Sequence, residues 1–111
     1  MKITNTGKNK DCLIVTVEGR MDAVTAPEFE RCLKEWIDEG ETLFIVDFGG
    51  LDYISSAGLR SILTIAKSLK LKKGQIVLSA LRSTVKEVFE ISGFSTIIPV
   101  FESVEAALKE I

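Results

Sequence analysis

The sequence predicts an α/β domain with a mixed, mostly parallel sheet of four to five strands and four helices. Short apolar runs rich in branched residues, typical of buried strands, recur along the chain. They alternate with segments whose apolar residues repeat every three or four positions, typical of amphipathic helices. Glycine or proline lies near the end of most of these segments. This alternation indicates parallel strands joined by right-handed crossovers.

The first strands and the first helix are predicted from local patterns. Residues 2–4 form a short edge strand, residues 7–10 a turn, and residues 12–18 a second strand that ends at Gly19. Thr25 and Glu28 have the spacing of a capping box, and proline is tolerated in a first helical turn. The helix that follows ends near Gly40. Its apolar face consists of Phe29, Cys32, Leu33, Trp36 and Ile37.

The central stretch joins a buried strand to a second helix. Residues 43–46 form the strand, and a short polar loop then delivers Ser55 and Ser56 to the helix N-terminus. Free N–H groups and the helix dipole favour a phosphate there. Ser55 can cap the helix while Ser56 faces outward, and Ser61 is expected on the helix surface. The apolar stripe of this helix consists of Leu59, Ile62, Leu63, Ala66 and Leu69.

The second helix is expected to end at Gly74, in a left-handed cap conformation. Four lysines near this end complement the helix dipole, with a docking patch as the alternative; they are Lys67, Lys70, Lys72 and Lys73. Residues 76–79 form a further buried strand. Ser83 is predicted to cap a third helix that ends at Gly93, residues 96–98 form the last strand, and a final helix begins near Ser103.

The composition excludes several classes of function. The 111 residues fit one domain, 1–111, and the 46% hydrophobic content argues against disorder. A net charge of −2 gives no basic excess for nucleic-acid binding. No apolar run approaches the roughly 20 residues needed to cross a bilayer, and the N-terminus has no signal region. We therefore expect a cytoplasmic protein with no nucleic-acid or membrane partner.

The absence of histidine argues against an enzyme. A Ser-His-Asp or Cys-His relay needs an imidazole, and the chain contains none. Cys12 and Cys32 lack the spacing of a zinc site, and they are predicted to be reduced, buried thiols. No glycine pattern matches a phosphate-cradling loop. We expect no catalytic residue, metal or cofactor.

Three segments carry a family resemblance. Residues 52–60, Asp-Tyr-Ile-Ser-Ser-Ala-Gly-Leu-Arg, resemble the signature of STAS-domain anti-sigma factor antagonists, small bacterial proteins that are reversibly phosphorylated on serine. Residues 19–28 resemble the strand-to-helix segment of this family, and residues 88–94 are similar to its late helix-Gly segment. Many members have aspartate before the phosphorylated serine, whereas this chain has Ser55.

The resemblance implies a single STAS-type domain, a site and two partners. Ser56 would be the phosphorylated residue, with Ser55 as the alternative. The unphosphorylated form would bind an anti-sigma factor that is also a serine kinase, so that a sigma factor is released, and a PP2C-type phosphatase would reverse the modification. The residues implied to contact the partner are Asp22, Ser55, Ala57, Gly58, Leu59 and Arg60. The alternative is a STAS scaffold or ligand-binding module without a switch.

Overall fold

The computed structural model describes residues 1–111 and contains five strands and four helices. The elements are β1 (Lys2–Asn9), β2 (Cys12–Met21), α1 (Ala26–Asp38), β3 (Leu43–Ile54), α2 (Ser56–Leu71), β4 (Gln75–Ser79), α3 (Ser83–Ser92), β5 (Val100–Phe101) and α4 (Val104–Glu110). A short 3-10 helix, Phe94–Thr96, follows α3. None of the helices combines the length and apolar character needed to span a bilayer.

The sheet has the strand order β1-β2-β3-β4-β5. β1 runs antiparallel to β2, whereas every later pair is parallel. The predicted fold class and order of elements are therefore confirmed. Because β2 and β3 are neighbouring parallel strands, their carboxyl ends lie at the same edge of the sheet, where α/β proteins commonly place their binding sites.

The sheet separates two apolar layers. Alternate residues of β3 point to opposite faces, as the pleat requires: Phe44, Val46 and Phe48 pack in the larger layer, and Ile45 packs in the smaller one. The first three helices cover the larger layer, where the rings of Phe29 and Phe48 lie 6.3 Å apart. The smaller layer is closed by α4, through Ala107. The fully buried aromatic and aliphatic side chains of the larger layer supply most of the hydrophobic stabilisation.

β4 begins one residue earlier than predicted, and three strands extend well beyond their predicted ends. β1 continues to Asn9, and the turn is at Lys10 and Asp11 rather than over residues 7–10. β2 does not end at Gly19 but reaches Met21. β3 continues through the segment predicted as a polar loop to Ile54. Irregularities in the pairing of β2 with its neighbours accommodate these polar and glycine-rich segments without ending the strands.

The prediction for the segment after α3 was wrong. Residues 96–98 do not form a strand, because the chain enters the 3-10 helix directly after Gly93 and the last strand begins only at Val100. Ile98 is buried, whereas Ile97 is 61% exposed. Ser83 is the first residue of α3 and does not cap it; the N-cap position is held by Arg82, without a side-chain hydrogen bond.

The two cysteines are free and pack in the apolar layers on opposite faces of the sheet. Cys12 is fully buried in β2, and Cys32 is half-buried in α1 against the core. Desolvation raises the pKa of both thiols above the ordinary cysteine value. Both side chains therefore favour the neutral, poorly nucleophilic form, as expected of small apolar residues.

Two details of α2 differ from expectation. Ser61, expected on the surface, is buried with 6% of its area exposed. At the other end, the left-handed residue is Lys73, with φ 58°, and not Gly74. Gly74 is required for a different reason: a Cβ at this position would lie 2.2 Å from the carbonyl oxygen of Thr42. The chain passes so close to Thr42 because the N–H of Gln75 donates to the same oxygen at 2.8 Å.

Candidate functional site

The serine pair lies where β3 passes into α2. Ile54 is the last residue of β3, Ser55 is the N-cap, and Ser56 is the first residue of the helix. The N–H of Ser55 donates to the carbonyl of Met21 at 2.9 Å, so the end of β3 is fastened to the end of β2. Ser55 and Asp22 are thereby brought to the same edge of the sheet.

The two serines occupy different environments. Ser55 is half-buried and extended, and its Oγ accepts a hydrogen bond from the Gly58 N–H at 3.3 Å. Its carbonyl accepts the first intrahelical bond, from Leu59, at 3.0 Å. Ser56 is exposed, and no side-chain hydrogen bond engages its hydroxyl within the chain. The prediction that Ser55 caps the helix is confirmed, and Ser56 is the more exposed of the two serines.

We expect Ser55→Ala to lower the free energy of unfolding by about 1 kcal/mol, because the first turn of α2 loses its cap. Ser55→Asp is the matched variant. Aspartate caps helices as well as serine does, so its unfolding free energy should stay within about 0.5 kcal/mol of the wild-type value. Urea unfolding followed by circular dichroism measures both. Equal losses in the two variants would contradict a capping role for Ser55.

Gly58 allows α2 to approach the ends of both strands. A Cβ on this residue would lie 2.8 Å from Cγ1 of Ile54 and 3.0 Å from the carbonyl oxygen of Met21. Glycine in a first turn costs up to about 1 kcal/mol relative to alanine, and this close packing is what offsets that cost. Leu59 is buried beside it, with 8% of its area exposed. Gly58 and Leu59 therefore support the site from beneath.

Asp22 organises the turn between β2 and α1. Its Oδ1 accepts hydrogen bonds from the N–H groups of Val24 and Thr25, both at 3.0 Å. It also shares the single proton of the Thr25 hydroxyl, 3.2 Å away, with the carbonyl of Arg20. The Thr25 N–H has the largest effect and, with the other donors, holds the pKa of the Asp22 carboxyl below its ordinary value, against a smaller opposing desolvation. The carboxylate is thus ionised at neutral pH and fixed beside the serine loop.

The predicted capping box at the start of α1 is absent. The Thr25 hydroxyl faces back toward β2, where it accepts from the Asp22 N–H at 2.9 Å and is 2.8 Å from the carbonyl of Arg20, to which it donates. It makes no capping bond to the first turn of α1. The hydroxyl that the sequence pattern assigned to the helix instead closes the Asp22 turn.

The remaining predicted contact residues divide between surface and interior. Ser56 and Arg60 are exposed, whereas Ala57 is half-buried and packs against the core. Of the six residues implied to contact a partner, Asp22, Ser55, Ala57 and Arg60 retain accessible surface, and Gly58 and Leu59 lie beneath it.

Three features at this edge of the sheet were not predicted from the sequence. The guanidinium of Arg20 lies 4.2 Å from the ring centre of Tyr53, an exposed cation–π pair one position before the ends of β2 and β3. Val24, in the Asp22 turn, has 86% of its surface exposed. Arg82 pairs with Asp52 and donates to the Gly49 carbonyl at 2.8 Å, linking β3 to the start of α3. An apolar residue within a polar turn was the available signal for Val24.

Comparisons with known proteins identify the family of this chain. The STAS domain family matches residues 4–107. BtrV of Bordetella bronchiseptica, a candidate anti-sigma factor antagonist, is 46% identical over 107 residues, which cover 96% of this chain and 91% of that protein. The anti-sigma-B factor antagonist of Listeria monocytogenes is 33% identical over 94 residues, covering 84% of this chain and 82% of the other.

The same fold occurs in the Bacillus cell fate determinant SpoIIAA, solved in its phosphorylated form. That structure is 19% identical, has a TM-score of 0.75 and covers 98% of both chains. The family match spans nearly the whole sequence, and two relatives exceed 30% identity. The chain therefore belongs to the STAS domain family, on the branch of the anti-sigma factor antagonists.

Proposed function

We propose that this protein is an anti-sigma factor antagonist: unphosphorylated, it binds an anti-sigma factor serine kinase and so releases a sigma factor, and phosphorylation of Ser56 ends that binding. One observation carries the proposal. Ser56 is exposed at the N-terminus of α2, while the neighbouring Ser55 provides the cap. Modification of Ser56 therefore leaves the capping hydrogen bond in place. The names of the Bordetella and Listeria relatives, and the phosphorylated form of SpoIIAA, support the same role.

The domain itself can accept the phosphate. The first N–H groups of α2 have no acceptor one turn earlier, and the helix dipole stabilises a nearby anion by about 0.3–1 kcal/mol. The phosphate would add about −1.5 to −2 charge units at neutral pH. With a net charge of −2 for the whole chain, this change nearly doubles the charge and concentrates it beside ionised Asp22. The fold is retained, and the altered surface repels or sterically excludes the partner.

The contact surface in this proposal is formed by the accessible residues around Ser56. Asp22 contributes a fixed carboxylate, Arg60 a cation, and Ser55 and Ala57 the adjoining first turn of α2. Gly58 and Leu59 act through the position they give this turn. The same exposure that admits a kinase admits a PP2C-type phosphatase, which resets the cycle in the cytoplasm. The protein is the substrate in both reactions and not the catalyst.

Incubation with ATP and the cognate kinase, followed by peptide mass spectrometry, tests the assignment. We expect one phosphate, located on Ser56. Ser56→Ala should abolish it, whereas Ser55→Ala should still be phosphorylated, because Ser55 is half-buried and engaged with Gly58. Phosphate on Ser55, or unchanged modification of Ser56→Ala, would contradict the assignment.

One observation favours a second candidate, a STAS scaffold or ligand-binding module that is not switched. Ser55 replaces the aspartate that many family members carry before the phosphorylated serine, so the site lacks one acidic group. Complete absence of phosphate with every cognate kinase would favour this alternative.

A further inference from the structure

A groove at the far end of α2 is separate from the serine site. Its volume is about 530 Å³, and it lies between the second half of α2, the start of β4 and the segment before β5. Five apolar side chains line it: Leu63, Ala66, Ile76, Ile97 and Ile98. We call this the α2 groove.

Two cations border the apolar surface. Lys67 and Lys70 line the α2 groove, no acidic residue does, and none of the four ion pairs in the structure involves either lysine. The wider charge distribution is also uneven. Lys72 and Lys73 follow at the end of the same helix, and no acidic residue lies between Asp52 and Glu87 in the sequence. A chain with a negative net charge thus presents a local basic surface, which favours an acidic partner.

The apolar surface continues beyond the groove. Ile97, in its lining, is 61% exposed, and Leu71 is 88% exposed. Leu71 follows Lys67 by four residues and therefore lies beside it on the helix surface. Large exposed apolar side chains beside an apolar groove are typical of protein interaction sites.

The α2 groove is remote from Ser56. At 1.5 Å per residue, Lys67 and Lys70 lie about 17 and 21 Å along α2 from Ser56. The groove also contains Gln75, the first residue of β4, so it is at the amino ends of the parallel strands, opposite the serine site. A partner in the groove need not touch a phosphate on Ser56.

From this arrangement we propose that the α2 groove docks an acidic amphipathic segment of a protein partner. The apolar side chains of that segment enter the groove, and its carboxylates pair with Lys67 and Lys70. Recognition of this kind joins apolar anchors to charge complementarity. Docking here rests on the groove alone and does not depend on the phosphorylation proposed for Ser56.

An NMR titration of the labelled full chain tests the proposal. The probe is a short blocked peptide of Glu, Leu and Ala with leucine at helical spacing. We expect saturable shifts at the amides of residues 63–76 and 97–98. The charge reversal K67E/K70E should weaken binding by about tenfold, through lost pairing and new repulsion. K72E/K73E makes the same charge change just outside the lining, and it should weaken binding by only about twofold.

A second pair of variants tests how much the apolar lining of the α2 groove contributes to peptide binding. Ile97→Ser should weaken binding several-fold, because the side chain lines the groove and is exposed enough to be replaced without loss of the fold. Ile91→Ser replaces an 86% exposed residue outside the lining and should bind like the wild type.

Several outcomes would overturn the proposal. They are no saturable binding, equal binding of a peptide with Lys in place of Glu, and equal losses in K67E/K70E and K72E/K73E. Shifts produced by decanoate but not by the peptide would identify a small amphipathic anion as the occupant. Concentration-dependent self-association, lost in K67E/K70E, would identify a second copy of this chain. Loss of kinase phosphorylation with intact peptide binding would affect only the proposal for Ser56.

Discussion

Ser56→Asp is expected to weaken binding to the cognate anti-sigma kinase by about 10- to 100-fold, while Ser56→Ala binds like the wild type. An aspartate places a fixed negative charge at an exposed point beside ionised Asp22, and a like-charge juxtaposition across the interface opposes binding. The helix N-terminus stabilises this charge, so the free energy of unfolding measured in urea should change by less than about 0.5 kcal/mol. Isothermal titration calorimetry measures the binding constants.

A second serine provides the control for net charge. Ser83 is also exposed and is also the first residue of its helix, so Ser83→Asp repeats the substitution elsewhere. It should leave the binding constant within about twofold. Equal binding by Ser56→Ala and Ser56→Asp would contradict the switch, and an equal loss in Ser83→Asp would attribute the effect to overall charge.

Gly74→Ala is expected to lower the free energy of unfolding by about 2–4 kcal/mol. The new Cβ would overlap the Thr42 carbonyl oxygen, only 2.2 Å away. Relief of this overlap requires backbone movement, which also weakens the hydrogen bond from the Gln75 N–H to that oxygen and the start of β4. Urea denaturation with a constant m-value provides the measurement.

Lys73→Gly is the matched variant with the opposite expected sign. Lys73 adopts a left-handed conformation, φ 58°, that glycine accepts without the steric cost of a side chain. The substitution should raise stability by up to about 1 kcal/mol, or leave it unchanged where the greater freedom of the unfolded chain offsets the gain. An increase in the free energy of unfolding of Gly74→Ala would contradict the arrangement of this turn. So would a decrease of about 2–4 kcal/mol in Lys73→Gly.

The order of elements was predictable because apolar periodicity reports burial, and burial determines which segments pack. The face of α1 follows from spacing, and so does most of that of α2, although Ile65 is fully buried there and the predicted Leu63 and Ala66 are only half-buried. The buried residues of β3 and β4 follow from their continuous apolar runs. The ends of the strands did not follow. Gly49, Gly50 and Asp52 read as a loop, yet β3 continues through them because β2 pairs with it over this length. Pairing between distant segments is a tertiary effect that overrides local preference.

The centre of the site was more predictable than its surroundings. Ser55 was predicted as the N-cap of α2 because serine is preferred at that position, and Ser56, the next residue, was predicted to face solvent. The Arg20–Tyr53 pair depends on the register of β2 with β3, which shifts between Gly19 and Arg20. Thr25 was misassigned for a related reason: its hydroxyl is bonded to Asp22 and to the carbonyl of Arg20, and not to the first turn of α1.

Because β3 continues to Ile54 and the Ser55 N–H is bonded to Met21, the acceptor hydroxyl of the proposed reaction is presented on a preorganised scaffold. A kinase that binds this hydroxyl therefore loses no binding free energy to the ordering of a flexible substrate segment. Such a kinase would recognise a three-dimensional surface formed by β2, the Asp22 turn and α2. A linear peptide containing Ser56 would therefore be a poor substrate. Only the folded domain would then be phosphorylated efficiently.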